Sequence, residues 1–350
     1  MANDVIYMQR AIQLGKNGLG TTAPNPMVGC VIVCDGKIIG EGFTSPPEGP
    51  HAEVNAISSV RDKNLLKEAT LYVTLEPCSH FGKTPPCADL IIRRRIPKVV
   101  IGIQDPYTKV AGRGIQKLKD AGCEVHTGVL EKECRKHHKR FLTFYEKKRP
   151  YIILKWAETL DGFMAPEALK RSVGAGPYWI TDKTSRQLVH KWRSEEQAIL
   201  VGTNTVFEDN PRLDLRSWEG TPPLRLILDR ELRIQGEFHV LDGSIPTVIL
   251  TEVRDTKRYL DHLDYVYVDF KANLEKQIAQ VAYDRKITSI FIEGGSQTLD
   301  TFIKANFWDE ARVFTGISEF GKGLKAPNVD GRIVEKKKLG RDILKIIEHD

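Results

Sequence analysis

The chain has 350 residues, of which 41% are hydrophobic and 28% are charged, and its formal net charge at pH 7 is +6. This length exceeds what one hydrophobic core usually supports, so we expect two domains. The composition is that of an ordinary globular protein, and the lack of any run of eighteen apolar residues excludes a membrane-spanning helix. The amphipathic N-terminus lacks the apolar core and cleavage site of a signal peptide, so we predict a cytoplasmic protein.

The positive charge is a mild excess that is spread along the chain. A nucleic-acid-binding protein usually gathers such charge into a patch or stripe, and the densest basic stretch, residues 132–141, also resembles the solvated face of a helix. We expect no nucleic-acid partner, because no such patch stands out, and no membrane partner, because no long apolar run is present. The net charge by itself does not identify the class of ligand, because an anionic small molecule fits this excess equally well.

The first half of the sequence alternates short apolar runs with amphipathic segments. Residues 28–43 hold two apolar runs around Asp35-Gly36, a turn signal that predicts a β-hairpin. Strands are predicted at 69–75, 98–103 and 123–128, and helices at about 51–60, from 87, at 112–122 and at 131–148. This alternation indicates an α/β layered domain with a largely parallel half-sheet.

The second half repeats the alternation after Arg149-Pro150, where we place the domain boundary. Strands are predicted at 151–157, 197–202, 224–230, 247–253, 265–270, 289–293 and 311–316, and helices near 271–284 and 296–306. The pattern predicts a second sheet-centred α/β domain, so that the two domains span residues 1–148 and 149–350.

The cysteines are distributed unevenly. All six lie in the first 134 residues, at positions 30, 34, 78, 87, 123 and 134. In a chain without a secretion signal, disulfides are not expected and metal-binding or catalytic use is favoured. The asymmetry indicates that the two halves perform different chemistry.

A metal site is predicted from two short motifs. His51 and Glu53 form a His-x-Glu motif, and Cys78 and Cys87 each follow a proline. A catalytic zinc site has three protein ligands and keeps its fourth position for water, which matches His51, Cys78 and Cys87. Each cysteine lies just before or within the first turn of a predicted helix, where the backbone N–H groups favour a thiolate.

Glu53 suits proton transfer better than zinc binding. It can take a proton from the attacking water and deliver it to the leaving amine, as general base and then general acid. Zinc nucleobase deaminases combine a His-x-Glu motif with two cysteines in the same way, but with two residues between the cysteines. In this chain, eight residues separate Cys78 from Cys87.

A closed structural zinc site is the alternative. It requires a fourth protein ligand, for which His80 is the nearby candidate, and it would leave Glu53 without a role. The other four cysteines lie in or beside apolar strand or helix patterns and are interpreted as buried thiols.

Longer segments of the first half resemble a known family. The segments TTAPNPMVGCVIV (21–33), HAEVNA (51–56), TLYVTLEPCSHFGKTPPCADLI (70–91) and QDPYTKVAGRGIQKLKDAG (104–122) closely resemble the bifunctional deaminase/reductase of riboflavin biosynthesis, which shares the wide cysteine spacing. The resemblance implies a cytidine-deaminase-like domain followed by a dihydrofolate-reductase-like domain, with Zn²⁺ and NADPH as cofactors.

The resemblance also implies the substrates. The first domain would remove the 2-amino group of a diaminopyrimidinone ribosylamine phosphate, and the second would use NADPH to reduce its ribosyl group to ribityl. A homo-oligomer is also implied. Asn25 matches the family's pyrimidine-binding asparagine, although an Asn between two prolines is equally a turn residue.

In the second half, the resemblance assigns individual positions. The substrate positions are Lys155, Arg193, Leu213, Arg216 and Glu293. The cofactor positions are Ala157, Trp179, Thr205, Asp209, Gly295, Ser296, Gln297 and Thr298. Two guanidinium groups suit a phosphate monoester, and backbone N–H groups at a helix start after Gly294-Gly295 can bind a pyrophosphate.

Several alternatives remain open at this stage. Pro177 replaces the family's substrate-contacting serine, and the segment 166–176 also departs from the family pattern. The second domain is then either an active reductase or a degenerate module in a deaminase-only protein. Lys155 is alternatively a lysine at a strand end whose charged group extends to solvent. Gly294-Gly295 is alternatively an ordinary tight turn between a strand and a helix. A nucleic-acid base deaminase and a non-enzymatic zinc protein are the remaining rivals.

Overall fold

The structure is a computed structural model that describes residues 2–81, 85–106, 111–167, 178–254 and 263–349. The chain divides into two units, Met1–Lys148 and Arg149–Asp350. None of the helices within the described ranges is long and apolar enough to cross a membrane.

The first unit contains one five-stranded sheet and six α-helices among its described residues. The helices are α1 (Ala2–Gly15), α2 (Ala52–Ser59), α3 (Cys87–Arg93), α4 (Arg113–Asp120), α5 (Glu131–His137) and α6 (Lys139–Lys147). The strands are β1 (Gly29–Cys34), β2 (Lys37–Phe43), β3 (Thr70–Leu75), β4 (Lys98–Ile103) and β5 (Glu124–Thr127). The sheet order is β2-β1-β3-β4-β5, in which β1 is antiparallel to both neighbours and β3, β4 and β5 are parallel.

Helices cover both faces of this sheet. A β-carbon at position 29 would lie 1.8 Å from the carbonyl oxygen of Ala11 in α1, so Gly29 permits α1 to pack directly on β1. At Gly42 in β2, a β-carbon would lie 2.4 Å from the backbone nitrogen of Ala56 in α2. Gly42 pairs with Cys30, the residue after Gly29, so the two glycines face opposite sides of the sheet. The unit therefore has the layered α/β arrangement that the sequence predicts.

The predicted hairpin is present between β1 and β2. Asp35 and Gly36 occupy its turn with φ values of 49° and 71°. Two successive left-handed residues match the twist of the flanking strands, which explains why an Asp-Gly pair occupies this turn.

The second unit is built on a larger, mostly parallel sheet. Its helices are α7 (Lys183–Glu195), α8 (Thr203–Asp209), α9 (Leu274–Asp284) and α10 (Ser296–Lys304). Its strands are β6 (Tyr151–Glu158), β7 (Phe163–Pro166), β8 (Ala198–Gly202), β9 (Leu224–Leu228), β10 (Thr247–Thr251), β11 (Leu263–Tyr267), β12 (Ser289–Ile292), β13 (Glu310–Thr315), β14 (Gly323–Lys325), β15 (Arg332–Leu339) and β16 (Asp342–Glu348).

The nine strands of the main sheet follow the order β11-β10-β9-β8-β12-β6-β13-β16-β15, and β7 pairs separately with β14. The strands from β11 to β13 are parallel, whereas β16 and β15 are antiparallel to their neighbours. The carboxyl ends of β6, β8 and β12 therefore meet at one edge of the sheet. This edge carries Lys155, Gly202 and Glu293 on or directly after those strands.

Several elements differ from the sequence prediction, and among them helix α7 and the short strands β7 and β14 were not predicted. The basic helix predicted at 131–148 is two helices, because His138 between them leaves helical geometry at φ −90° and ψ 13° and is buried. Helix α8 was not predicted, since its seven residues are too few to show a helical period. Strands β15 and β16 were also missed, because β15 is a mostly exposed edge strand with no alternating apolar side.

Candidate metal centre and cationic cleft

The candidate metal ligands come from two helix starts and one strand end. His51 directly precedes α2, and Glu53 lies in the first turn of that helix. Cys78 follows the end of β3, and Cys87 is the first residue of α3. The N–H of Ala88 donates to the carbonyl of Cys78, which fixes the two cysteines next to each other. The packing of these elements therefore brings residues from three separate segments of the chain to one point.

The donor atoms have the spacing that a tetrahedral zinc ion requires. His51 Nδ1 lies 3.7 Å from Cys78 Sγ and 3.4 Å from Cys87 Sγ, and all three ligand atoms fall within 4.8 Å of one another. Bonds of about 2.0 Å to nitrogen and about 2.3 Å to sulfur at tetrahedral angles separate these atoms by about 3.5 Å. One imidazole and two thiols are also a donor set that zinc prefers. The residues present fit the metal.

The electrostatics of the cluster favour a thiolate at Cys78 and bring Glu53 close to half protonation near neutral pH. Hydrogen bonds from Cys87 and His51, despite burial, lower the pKa of Cys78 to about 4. Burial, with the Cys78 charge added, raises the pKa of Glu53 to about 7. A bound dication would draw the pKa values of these groups downward. Glu53 is thus a buried carboxyl group that can either hold or release a proton close to the ligands.

A cavity of about 430 Å³ opens onto this cluster. Its walls include His51, Glu53, Cys78, His80 and Asn25. The described part of the chain groups three ligand residues here, and His80 is not among them, so the four-ligand structural site gains no support. Asn25 lies in a turn closed by its own N–H, which donates to the carbonyl of Thr22, and it also lines the cavity.

Two aromatic residues of the cavity were missed by the sequence analysis. Phe141 and Tyr145 from α6 line the cavity, and their rings lie 4.7 Å apart. Their segment was interpreted as a solvated basic helix, because its lysines and arginines dominate the sequence. The aromatic pair at spacing i and i+4 was the signal that could have identified a buried side of this helix.

Glu76 is a second residue that the sequence analysis did not select. Its buried carboxylate accepts hydrogen bonds from the backbone N–H groups of Asp105, Gly112, Gly114 and Ile115, at 2.9–3.2 Å. The last two belong to the first turn of α4, whose N–H groups have no partner inside the helix. Glu76 therefore joins the segment before Cys78 to the start of α4 and to Asp105, which also lines the cavity.

Replacing Glu76 with Gln should loosen this connection. The amide keeps one acceptor oxygen and places an NH₂ group against backbone donors, so we expect the free energy of opening of α4 to fall by roughly 2–4 kcal/mol. Hydrogen–deuterium exchange of the peptide containing residues 111–120 measures this change. The control is Glu41→Gln, which breaks the half-exposed ion pair with Arg10 and should leave exchange in α4 unchanged. Equal exchange in both variants would contradict the role of Glu76.

The second unit has a cleft of about 890 Å³ at the carboxyl edge of its sheet. Nine of the predicted positions line it: Lys155, Ala157, Trp179, Arg193, Thr205, Asp209, Leu213, Arg216 and Glu293. The cleft also contains cations that the sequence analysis did not select, namely Lys183, Arg186 and Arg212. Six Lys and Arg side chains therefore face two carboxylates, which makes the cleft suitable for a polyanionic ligand.

The four cofactor positions from Gly295 to Thr298 are not part of the cleft lining. They form the N-cap and first turn of α10. A β-carbon at position 295 would lie 3.4 Å from the Thr205 hydroxyl oxygen, and Thr205 does line the cleft. The start of α10 is therefore adjacent to the cleft wall. Pro177 and most of the preceding loop lie outside the described residues.

Glu293 organises the cations at the base of the cleft. Its two carboxylate oxygens accept hydrogen bonds from Arg193 Nε and Nη2 at 2.5 Å and 2.9 Å, and Lys155 Nζ lies 3.6 Å from the second oxygen. Burial raises the pKa of Glu293, but the charges of Arg193 and Lys155 outweigh burial and lower it to about 2. Burial lowers the pKa of Lys155 despite the opposing effect of Glu293.

This arrangement predicts a pH-dependent contribution to stability. Because the folded pKa of about 2 lies below the ordinary value of 4.5, the Glu293 carboxylate stabilises the fold above pH 4.5 and loses this effect as the pH falls toward 2. Glu293→Gln should lower the free energy of unfolding at both pH values. The decrease should be about 2 kcal/mol smaller at pH 3 than at pH 6. Denaturation followed by tryptophan fluorescence measures it, since all five tryptophans lie in the second unit. A cost that stays constant or grows on acidification would contradict the assignment.

The two sites define the class of the protein. A His/Cys/Cys cluster with an adjacent buried glutamate is the arrangement of a zinc-dependent deaminase, and a cationic cleft at the carboxyl edge of a parallel sheet is typical of nucleotide-cofactor enzymes. Family models agree with both halves. The model described as "Cytidine and deoxycytidylate deaminase zinc-binding region" matches residues 1–103, and the "RibD C-terminal domain" model matches residues 150–338.

Whole-chain relatives identify the family. The riboflavin biosynthesis protein RibD of Aquifex aeolicus (strain VF5) is 40% identical, and the alignment covers 97% of this chain and 97% of that protein. RibD of Escherichia coli (strain K12) is 34% identical over 89% of this chain and 87% of that protein.

Solved structures agree over the full length. The Thermotoga maritima diaminohydroxyphosphoribosylaminopyrimidine deaminase/5-amino-6-(5-phosphoribosylamino)uracil reductase matches with a TM-score of 0.90 and 40% identity, covering 100% of this chain and 99% of that chain. Acinetobacter baumannii RibD, form 1, matches with a TM-score of 0.89 and 32% identity, covering 100% and 99%. The chain belongs to the RibD family. It is a bifunctional deaminase/reductase of riboflavin biosynthesis, with a zinc-binding deaminase domain and an NADPH-dependent reductase domain of the dihydrofolate-reductase-like fold.

Proposed function

We propose that residues 1–148 deaminate 2,5-diamino-6-(5-phosphoribosylamino)pyrimidin-4(3H)-one, and that residues 149–350 reduce the resulting 5-amino-6-(5-phosphoribosylamino)uracil to its ribitylamino product. The observation that carries the proposal is the convergence of His51, Cys78 and Cys87 beside buried Glu53, in the same cavity as Asn25. The name of the Thermotoga maritima relative contains both reactions.

The proposed deaminase residues have separate roles. His51, Cys78 and Cys87 would hold zinc, which supplies a Lewis acid that makes water nucleophilic near neutral pH. Glu53 accepts the proton released by that water and donates a proton to the departing amine. Asn25 offers an amide that can both donate to and accept from a pyrimidine edge.

The proposed reductase residues bind and orient an anionic sugar. The guanidinium groups of Arg193 and Arg216 would bind the phosphate. Leu213, which lines the same cleft, would pack against the substrate. Lys155, held by Glu293, can donate a proton to the ribosyl ring oxygen as the C1–O bond breaks and the amine nitrogen forms a double bond to C1. Bound NADPH would supply a hydride for the reduction of C1.

The cofactor would lie along a second set of residues. Ala157, Trp179, Thr205 and Asp209 line the same cleft, and Gly295, Ser296, Gln297 and Thr298 begin an adjacent helix that can bind the pyrophosphate. The Trp179 ring is half exposed, with the Arg186 guanidinium 4.6 Å from its centroid, so it offers a flat surface for a nucleotide ring. A cytoplasmic location and a homo-oligomeric state stay predictions that rest on the sequence.

The function is tested by incubating the purified protein with the diaminopyrimidinone ribosylamine phosphate, with and without NADPH. We expect ammonia release in both reactions and NADPH oxidation in the second, and we expect reduction to follow deamination. Ammonia release without NADPH oxidation would leave a deaminase with a second domain of another function. Absence of ammonia release would contradict the deaminase assignment.

Glu53→Gln separates proton transfer from metal binding. We expect ammonia release to fall by about 10²–10⁴-fold, because the amide cannot take up a proton, while zinc content is unchanged. The matched control is Lys155→Met, which should abolish NADPH oxidation and leave ammonia release intact. Loss of zinc from Glu53→Gln would make Glu53 a ligand, and wild-type ammonia release from this variant would exclude it as the proton carrier.

A further inference from the structure

His190 is a buried residue of the cationic cleft that has no role in the function proposed above. It lies on α7, four residues after Arg186 and three before Arg193, and all three residues line the cleft. Residues at these spacings share one side of a helix. The side of α7 that carries His190 therefore forms part of the cleft wall that would face the substrate. The residue as a whole is only 6% exposed.

The imidazole of His190 is held in one orientation. Its Nδ1 lies 2.9 Å from the carbonyl oxygen of Asp214, and Arg193 Nη1 donates to the same oxygen at 3.1 Å. Because a carbonyl oxygen only accepts hydrogen bonds, the hydrogen of a neutral His190 must be on Nδ1. Burial, reinforced by the charge of Arg193, lowers the pKa of His190, so the neutral form is favoured. The lone pair is then on Nε2.

Nε2 is an acceptor in a wall made mainly of donors. The described part of the protein provides no hydrogen-bond partner for this atom. Lys155 and Arg193 can only donate, and both oxygens of Glu293 already accept from Arg193. A ligand that brings hydroxyl groups into this part of the cleft meets His190 Nε2 as an available acceptor.

We infer that His190 is a substrate-binding residue of the reductase, whose Nε2 accepts a hydrogen bond from a ribosyl hydroxyl group while the neighbouring cations bind the phosphate. The inference rests on the proposed reductase function, which places a ribosyl phosphate in this cleft. It assigns His190 to recognition of the sugar and not to the phosphate, because an unprotonated ring nitrogen next to a phosphate oxygen would repel it.

His190→Asn tests the contact by kinetics. The Asn amide can keep the donor to the Asp214 carbonyl but has no atom at the position of Nε2. We expect the KM for 5-amino-6-(5-phosphoribosylamino)uracil to rise about tenfold, as for the loss of one hydrogen bond, with the KM for NADPH within about twofold. The unchanged KM for NADPH serves as the folding control for the second domain, and ammonia release by the first domain should also be unchanged.

The matched variant is His190→Gln, whose longer amide can put an acceptor oxygen where Nε2 was. It should restore the substrate KM to within about threefold of the wild-type value. A substrate KM within twofold of wild type in His190→Asn would overturn the inference. Equal losses in both variants, with a matching rise in the KM for NADPH, would also overturn it, because His190 would then only support the fold of the cleft.

A binding measurement separates this inference from the proposed function. In ¹⁵N-histidine-labelled full-length protein, the resonances of His190 are assigned by their loss in His190→Asn. We expect the pattern of the neutral Nδ1–H tautomer and a shift of Nε2 on addition of ribose 5-phosphate. If Nε2 shifts but NADPH is never oxidised, the reductase function fails and the contact stands. If NADPH is oxidised but Nε2 does not shift, the contact is wrong and the function stands.

Discussion

The first unit depends on bringing a histidine and two thiols from three separate segments within 4.8 Å of one another. Such a cluster is costly without a metal, because thiolate character concentrates in a buried space. The fold reduces that cost at Cys78, where hydrogen bonds from the side chains of Cys87 and His51 lower the pKa of the thiol to about 4. The N–H of Cys87 also donates to Cys78 Sγ at 3.3 Å. The sheet, its turns and the Glu76 connection serve to keep these ends together.

In the second unit, the charges that must be held close together are positive. Several cations must be held at one sheet edge before an anionic ligand arrives, and their mutual repulsion opposes this. A single buried carboxylate, Glu293, binds Arg193 through both of its oxygens, lies 3.6 Å from Lys155 Nζ, and offsets one of these two positive charges. The cleft keeps an excess of positive charge at its other residues, so the ligand still gains from binding.

Much of the fold could be predicted from the sequence, because hydrophobic period and turn residues act locally. The Asp35-Gly36 hairpin, the alternating strands and helices and the layered architecture all follow from such signals. The metal cluster was predictable for a different reason, namely that few residue types bind zinc and their motif is distinctive. The exposed edge strand β15 has no such signal, because none of its sides is buried and its sequence therefore shows no alternation of apolar and polar residues.

The contributions of Glu76, His190 and the Phe141–Tyr145 pair could not be predicted in the same way. Each depends on a partner far along the chain: Gly114 for Glu76, Asp214 for His190, and the cavity opposite α6 for the aromatic rings. A glutamate before a Pro-Cys motif looks like a surface residue until the four N–H groups around it are known. Tertiary contacts decide these roles, and the i, i+4 spacing of Phe141 and Tyr145 indicates a buried side of the helix but not the cavity that this side lines.

The most direct test of the account is the zinc content of the purified chain, measured together with both activities, for the wild type and for Cys87→Ser. We predict one zinc ion per wild-type chain. In Cys87→Ser, we predict loss of zinc and of ammonia release, while NADPH oxidation with the deaminated substrate continues and shows that the rest of the chain is folded. Retention of zinc and ammonia release in Cys87→Ser would contradict the assignment of the metal centre.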